Sequence, residues 1–269
     1  AKMSTLLAFM AIFPILSAAF GGYIGENYGW QINFFTLFIF GGIVFSLNYV
    51  YSPETIKNKY KRLNFRTTFL DFRYLFGQIS FLYFAGVSSI QAAFFFSMAS
   101  FMPYQFERLG ASPTEFGFWF SLTSIGYIIG NIVSNKYSSW LGLERFSLLG
   151  CFWCLLSIAL MFLSEIPLIS TPLTLASACF MFGLGNGLIL ANVLVLALSS
   201  VKQKCVASAS GLLGAMQMFC GAILGSLIVF LGGDSDFSLS LVVLFILSIF
   251  SILCCYRGGL SSKILRSKN

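Results

Sequence analysis

The stretch that decides the fold runs from Leu173 to Ser199 and reads LTLASACFMFGLGNGLILANVLVLALS. It contains no Asp, Glu, Lys, Arg or His, and most of its side chains are aliphatic or small. A helix needs about 20 apolar residues to cross the hydrocarbon layer of a membrane, which is about 30 Å thick. The stretch is therefore predicted to be a membrane-spanning helix.

Stretches of the same kind occur along the whole chain, separated by charges, Pro or polar turns. The predicted spans are Met3–Ile24, Trp30–Tyr51, Phe76–Met102, Phe116–Asn135, Phe146–Ser164, Leu173–Ser199, Val206–Leu231 and Phe237–Tyr256. Charged residues make up 9% of the 269 residues, whereas a soluble domain carries about 25%. This composition excludes a water-soluble globular protein and predicts an all-α polytopic membrane protein.

Every acidic and basic residue lies outside these spans, as expected because a charge at the centre of a membrane helix costs about 2.5 to 3.5 kcal/mol. When successive loops are assigned to alternate sides of the membrane, all Lys and Arg residues except Arg108 fall on one side. The positive-inside rule places that side, with both termini, in the cytoplasm. The net charge of +7 is thus explained by topology, and no nucleic-acid partner is expected.

The segment 52–75 is the longest hydrophilic stretch and divides the spans into two groups. Residues 1–51 hold two spans, residues 76–256 hold six, and residues 257–269 form a basic cytoplasmic tail. This division predicts a complete six-helix bundle preceded by the last two helices of another bundle. Because the chain does not begin with Met, it is expected to be a fragment. Residues 65–74 have the pattern of an amphipathic helix on the cytoplasmic surface.

Glycines recur four residues apart in several spans, the spacing that lets membrane helices approach closely. The pairs are Gly21 with Gly25, Gly126 with Gly130, and Gly221 with Gly225. They predict close helix packing. The run GLGNG at 183–187 resembles a phosphate-binding loop, but it lacks a preceding strand and a following Lys-Ser/Thr, so packing is favoured there as well.

A few uncharged polar residues inside the spans form a candidate substrate-binding surface, because lipid offers hydrogen-bonding groups no partner. Together with neighbouring aromatic residues, the candidates for lining a cavity are Gln91, Phe94, Phe95, Ser124, Tyr127, Asn186 and Gln217. Aromatic rings and thioethers adapt to many ligand shapes, so this surface favours varied amphipathic small molecules. The alternative for each residue alone is a hydrogen bond between helices, worth about 0.6 kcal/mol.

The spans offer little reactive chemistry. None contains a carboxylate, Lys, Arg or His that could carry a proton or bind a cation. Cys151 and Cys154 form a CxxC motif inside an apolar run, without the second pair or the His of a metal site. No Ser/His, paired Asp or HExxH arrangement appears, so we expect no enzyme, no metal and no cofactor.

Several local motifs resemble those of one transporter family. Residues 14–30, PILSAAFGGYIGENYGW, are similar to its fifth helix, and residues 52–55, SPET, to the end of its sixth. Residues 101–117, FMPYQFERLGASPTEFG, resemble the link between its seventh and eighth helices, and residues 206–217, VASASGLLGAMQ, the opening of its eleventh. Over nearly its whole length the chain thus resembles the Bcr/CflA (bicyclomycin-resistance) drug:proton antiporters of the major facilitator superfamily.

This resemblance implies the major facilitator fold, with helices five to twelve present and the N-terminal helices missing. It implies proton-coupled efflux of structurally diverse small molecules by alternating access across the bacterial cytoplasmic (inner) membrane, with the proton gradient as the energy source. The expected partners are the lipid bilayer, amphipathic substrates, protons and the missing helices, which would carry the coupling acid. The transporter is expected to be monomeric.

The resemblance also assigns packing or gating roles to residues of two motifs, namely Pro14, Gly21, Gly22, Gly142 and Arg145. The chain departs from the family pattern at Ala18, where a second Pro is usual. The loop 130–145 lacks the acid that is usual in the gating motif of the superfamily. Both departures leave the strength of gating open.

Two other functions are compatible with the sequence. One is a narrow-specificity metabolite transporter of the same superfamily, although a carrier of charged solutes would usually have an Arg or Lys in its cavity. The other is a membrane scaffold or assembly protein without transport activity. A scaffold would tolerate Gln91→Leu and Asn186→Leu, whereas a transporter using those residues would not.

Overall fold

The computed structural model describes residues 16–52, 65–230 and 236–267, and this part of the chain consists of helices without any strand. The helices are α1 (16–28), α2 (Trp30–Tyr51), α3 (Phe65–Phe76), α4 (Ile79–Arg108), α5 (Pro113–Leu141), α6 (Leu143–Leu163), α7 (Pro172–Ser199), α8 (Val206–Phe230) and α9 (Phe237–Ser267). Within the described residues, α2 and α4 to α9 are long and apolar enough to cross a membrane. The predicted all-α polytopic fold is therefore confirmed.

Several helices extend beyond the ends predicted for the spans. Helix α4 continues through Pro103 to Arg108, and α5 begins at Pro113. The predicted ends were too short because charges disfavour the hydrocarbon layer, while helical hydrogen bonding can continue past it. At the start of α5 the Ser112 hydroxyl accepts a hydrogen bond from the backbone N–H of Glu115 at 3.3 Å, and the Glu115 carboxylate accepts one from Ser112 N–H at 2.9 Å. This capping box fixes the first turn of α5.

Helices α4 to α9 pack into one bundle. Helices α5 and α6 pack against α7, helices α8 and α9 pack against α4, and the pairs α4 with α7 and α6 with α9 complete the main contacts. The same pairs of contacting helices result when α4 is exchanged with α7, α5 with α8 and α6 with α9. The bundle is therefore an internal repeat of three helices. Its core contains many fully buried aromatic side chains, among them Phe81, Phe84, Phe94, Phe101, Phe106 and Phe182.

Helix α7 lies unusually close to two neighbours. A Cβ atom at Gly183 would overlap the carbonyl oxygen of Thr123, and one at Gly187 would overlap that of Tyr127, both in α5. On the facing side of α5, Gly126 and Gly130 meet the backbone of α7 with equal closeness.

Gly185 in α7 faces α6 instead. A Cβ there would lie 2.7 Å from Cys154 Sγ and 3.0 Å from the carbonyl oxygen of Gly150. The GLGNG run is thus a helical packing segment between two neighbours, which explains its glycines without a phosphate ligand. On the other side of the bundle, Gly221 and Gly225 in α8 pack against Phe96 and Ser100 of α4.

Helix α1 crosses the N-terminal part of α5. A Cβ at Gly22 would overlap the carbonyl oxygen of Pro113, and one at Gly117 would overlap that of Ala18. The small residue at position 18 therefore lies at a close backbone contact. The surroundings of Gly21 are open, and its carbonyl oxygen accepts a hydrogen bond from Asn33 Nδ2 at 3.1 Å.

Helix α2 presents its apolar side chains outward, and none of its residues is buried. Phe38, for example, is 76% exposed. Such a surface is compatible with lipid or with other apolar helices. Pro14, to which a role in packing was assigned from the sequence, lies outside the described residues.

The chain between α5 and α6 turns at Gly142, whose φ of 86° lies in a region that favours glycine. Arg145 is exposed in the first turn of α6.

Helix α3, which precedes the bundle in the sequence, is the amphipathic helix expected from the sequence. Its Asp71 carboxylate accepts a hydrogen bond from the Ser208 hydroxyl of α8 at 3.0 Å, which attaches α3 to the bundle.

Candidate functional site

A cavity of about 230 Å³ lies between α4, α5 and α7. The candidate residues that line it are Gln91, Phe95, Ser124, Tyr127 and Asn186. The lining is completed by residues that the sequence did not single out, namely Ala92, Phe96, Thr123, Gly183 and Leu190. No charged side chain belongs to this lining.

Helical spacing explains how three helices form one surface. Gln91 and Phe95 are four residues apart in α4, and Ser124 and Tyr127 are three apart in α5, so each pair shares a helix face. Asn186 in α7 is brought next to them because the glycines of α5 and α7 let the two backbones approach.

The Gln91 carboxamide is held by side chains from two other helices. Its Nε2 donates a hydrogen bond to Ser251 Oγ of α9 at 3.3 Å, and its Oε1 accepts one from Cys154 Sγ of α6 at 3.6 Å. Ser251 Oγ also lies 3.6 Å from Cys151 Sγ. The two thiols of the CxxC motif therefore belong to a buried hydrogen-bonded group around Gln91. The i, i+3 spacing of the two thiols, which places them on one face of α6, was the feature of the sequence that could have indicated this group.

Asn186 differs from Asn192, the other Asn of α7. Asn192 Nδ2 donates to Ser134 Oγ and to the carbonyl oxygen of Leu188, both at 2.8 Å, so this residue links helices. Asn186 is 6% exposed and lines the cavity, yet its Oδ1 is buried without a hydrogen-bond partner in the described part of the chain.

Aromatic rings extend from the cavity along α4 and α5. Phe95 contacts Phe96 with ring centroids 5.7 Å apart and Phe120 with centroids 6.3 Å apart. Phe120 in turn stacks on Phe116 at 5.3 Å. One wall of the cavity is therefore aromatic, while Ser124, Tyr127 and Asn186 supply polar groups on the other. Sequence reasoning missed Phe116 and Phe120 because Phe occurs on every side of these helices.

The structure does not bring Phe94 and Gln217 into the lining. Phe94 is fully buried and packs edge-on against Phe182 with centroids 6.0 Å apart. Neighbouring residues on a helix point about 100° apart, so Phe94 faces the core while Phe95 faces the cavity. Gln217 of α8 donates a hydrogen bond from Nε2 to Ser88 Oγ of α4. It therefore links two helices, which is the alternative weighed for each polar residue.

A separate polar contact joins α1 to the start of α5. Glu26 Oε2 accepts a hydrogen bond from Thr114 N–H at 2.9 Å, in the first turn of α5. Hydrogen bonds from the Thr114 side chain and backbone lower the pKa of the Glu26 carboxyl below its ordinary value of 4.5. The free N–H groups at a helix N-terminus favour a negative charge, so the ionised carboxylate is the form that stabilises this contact.

Within the described residues, no cluster of three or more His, Cys, Asp or Glu side chains could hold a metal ion. The cavity also lacks a nucleophile paired with a base. What the lining can do chemically is to bind an uncharged molecule through ring contacts and hydrogen bonds.

The chain is similar in sequence to a known protein over most of its length. The chain is 26% identical to the bicyclomycin resistance protein homolog of Haemophilus influenzae over 243 residues, which cover 87% of this chain and 58% of that protein. This similarity confirms the resemblance to Bcr/CflA-type transporters. The chain thus spans less than two thirds of the length of this relative.

The chain also matches a protein family. Residues 1–226 match the Major Facilitator Superfamily, and helices of the length and apolarity required to cross a membrane follow one another through the described chain. This family consists of transporters and not of enzymes. The chain belongs to the Major Facilitator Superfamily.

Proposed function

We propose that the protein exports uncharged, amphipathic small molecules of varied structure from the bacterial cytoplasm, driven by the proton gradient. The observation that carries this proposal is the cavity between α4, α5 and α7, which combines an aromatic wall with uncharged polar groups. Rings accept many molecular shapes, and a few hydroxyl and amide groups orient the bound molecule. The similarity to a protein named for bicyclomycin resistance supports export of antibiotics.

The proposed transporter consists of two helical bundles joined by a cytoplasmic connection. Residues 1–51 belong to an N-terminal bundle, 52–75 form the cytoplasmic connection, 76–256 form the C-terminal bundle, and 257–269 form the cytoplasmic tail. The bundles rock about the cavity to expose it to either side of the inner membrane. The group that binds the proton is an acid outside the cavity lining, on the N-terminal helices of the same transporter. No cofactor takes part, and the working unit is a monomer.

The experiment is reconstitution of the full-length protein into proteoliposomes loaded with a fluorescent dye, followed by an imposed pH difference. Dye should move against its concentration gradient when the pH difference is present and stop when an ionophore removes it. Dye flux that does not respond to the pH difference would contradict proton coupling. A membrane protein that binds partners but moves no dye would favour the scaffold function.

A narrow-specificity metabolite exporter is the second candidate, favoured by the small size of the cavity. Ligand pockets in proteins commonly measure about 300 to 1,000 Å³, and this cavity measures about 230 Å³. Competition distinguishes the two functions. Chemically unrelated compounds should inhibit dye export by a multidrug transporter, whereas only close analogues of one metabolite should inhibit a narrow one.

A further inference from the structure

The buried oxygen of Asn186 points to the chemistry of the ligand, an inference that rests on the proposed function. Asn186 is one of the residues lining the cavity, and it is 6% exposed. Its Oδ1 has no hydrogen-bond partner in the described part of the chain. A buried acceptor without a partner is uncommon in native structures and needs an explanation, because burying it unpaired is unfavourable.

Two other buried amides in these helices have partners in the protein, and Gln105 Nε2 of α4, which has none among the described residues, lies outside the cavity lining. Gln91 exchanges hydrogen bonds with Ser251 and Cys154, and Asn192 donates to Ser134. Among the described residues, Asn186 Oδ1 is thus the buried side-chain amide oxygen that lies in the cavity lining without a hydrogen-bond partner.

The surroundings of Asn186 explain why the protein provides no donor. The flanking Gly185 and Gly187 pack against α6 and α5, so the backbone of α7 is fixed at this point by close contacts on both sides. The rings of Phe95 and Phe96 line the same cavity and carry no N–H or O–H group. Thr123, Ser124 and Tyr127 carry hydroxyls, but none of them donates to Asn186 Oδ1.

The terminal torsion of an Asn side chain has a broad range. Rotation of the Asn186 carboxamide can therefore turn Oδ1 toward a molecule in the cavity without moving the tightly packed helix. A ligand that donates a hydrogen bond would then satisfy the oxygen to which no described protein group donates.

We propose that Asn186 selects ligands by accepting a hydrogen bond from them. The ligand is an uncharged molecule with a flat apolar part and an O–H or N–H group at its edge. The flat part lies against Phe95 and Phe96, and the donor meets Asn186 Oδ1. The absence of charged groups from the lining disfavours charged ligands, since a charge taken out of water needs a partner.

A matched pair of probes tests this selection at equilibrium. 7-Hydroxy-4-methylcoumarin and 7-methoxy-4-methylcoumarin share the same flat ring and differ in one donor. Both are neutral at mildly acidic pH. Their binding would be measured with the full chain in lipid nanodiscs, after subtracting their partition into empty nanodiscs. The hydroxyl compound should bind about tenfold more tightly, as expected when methylation leaves one buried acceptor unpaired.

The variants locate the preference on Asn186. In Asn186→Leu and in Asn186→Ala, both coumarins should bind with about equal affinity. Ser177→Ala, which removes an exposed hydroxyl of α7 outside the cavity lining, should keep the preference for the hydroxyl compound. Two substitutions are used so that a folding defect in one, seen by size-exclusion chromatography, does not decide the result.

Several outcomes would overturn the inference. They are equal affinity of the wild-type chain for the two coumarins, binding of neither, and an undiminished preference in a folded Asn186 variant. The first of these is expected if a water molecule satisfies Oδ1 permanently. Because binding is measured without a pH difference, it is independent of the transport assay. A chain that moves no dye but prefers the hydroxyl compound would refute the proposed function and keep the inference.

Discussion

Single glycines determine how closely α7 approaches α5. At Gly183 even one added carbon would overlap the carbonyl oxygen of Thr123, which cannot rotate away because it belongs to the helix backbone. A methyl group there must push the two helices apart. The same movement would displace Asn186 relative to Tyr127 and change the cavity.

Gly183→Ala should therefore destabilise the protein by about 1 to 3 kcal/mol, the usual cost of overpacking a tight contact. The measurement is the free energy of unfolding in mixed detergent micelles. Gly211→Ala is the matched control, because this glycine of α8 has no atoms near the position of an added Cβ. The control should be unchanged or slightly more stable, since Ala favours the helix. An equally stable Gly183→Ala protein would contradict the close packing of α5 and α7.

Gln91 is the cavity residue whose orientation is fixed by other helices. Ser251→Ala removes the acceptor of its Nε2 hydrogen bond, and Gln91→Leu removes the whole amide. Each single change should weaken dye binding, Gln91→Leu more strongly. The double variant should bind dye no more weakly than Gln91→Leu, because the role of Ser251 is to position Gln91. Additive losses in dye affinity would show that Ser251 acts on its own.

Some of the candidate residues could be identified from the sequence and others could not. Polarity in an apolar helix singled out Gln91 and Asn186, because such groups avoid lipid. The sequence could not show which of Phe94 and Phe95 faces the cavity. Helix α4 is apolar on almost every side, so the spacing of its apolar residues does not indicate which face points to the core. The role of Gln217 depends on Ser88, which is 129 residues away in sequence, and no spacing rule predicts that pair.

At the scale of elements, the contact between α1 and α5 joins two parts of the chain that are far apart in sequence. It consists of the small-residue crossing at Gly22 and Gly117 and of the hydrogen bond from Thr114 N–H to Glu26. The other acid at this helix start, Glu115, is occupied in the capping box. In the proposed transport cycle, this contact would form and break as the bundles rock.

Removal of the Glu26 carboxylate should loosen this contact. Because the pKa of Glu26 is lowered by hydrogen bonds from Thr114, the stabilisation is complete above the ordinary carboxyl pKa of 4.5 and is lost as the pH falls through the lowered value. In Glu26→Ala, spin labels at the exposed positions Tyr28 and Phe118 should show longer and broader distances at neutral pH. Glu26→Gln should be intermediate, because a neutral oxygen is a weaker acceptor.

Glu165→Ala is the control for this measurement. Glu165 accepts a hydrogen bond from Ser238 near the start of α9 and has no part in the contact between α1 and α5. The label distances should stay as in the wild-type chain. If Glu26→Ala also left them unchanged, Glu26 would have no role in holding the two helices together.

The elements themselves were largely predictable from the sequence. Charges and apolar length located the spans from Trp30 onward, and amphipathic spacing located α3. The ends of α4 and α5 were missed, because Glu107, Arg108 and Glu115 lie in terminal helical turns where a charge costs little. Capping by Ser112 was present in the sequence as Ser followed three residues later by Glu, a pattern that marks a helix start.

In the whole molecule, the repeat of two three-helix units within the bundle could not be read from the sequence. Its evidence is the exchange symmetry of helix contacts, which depends on packing between helices distant along the chain. The seven spans from Trp30 onward and the family, in contrast, followed from local patterns. The orientation in the membrane stays a prediction of the distribution of Lys and Arg.

The proposed function requires that transported molecules bind in the cavity between α4, α5 and α7. The most direct test is labelling of Ser124→Cys with a membrane-permeant maleimide, compared with the unsubstituted chain to account for native cysteines. We predict that a saturating concentration of an exported dye slows labelling of the introduced thiol, because the dye occupies the space beside it. Labelling at the same rate with and without the dye would contradict the claim.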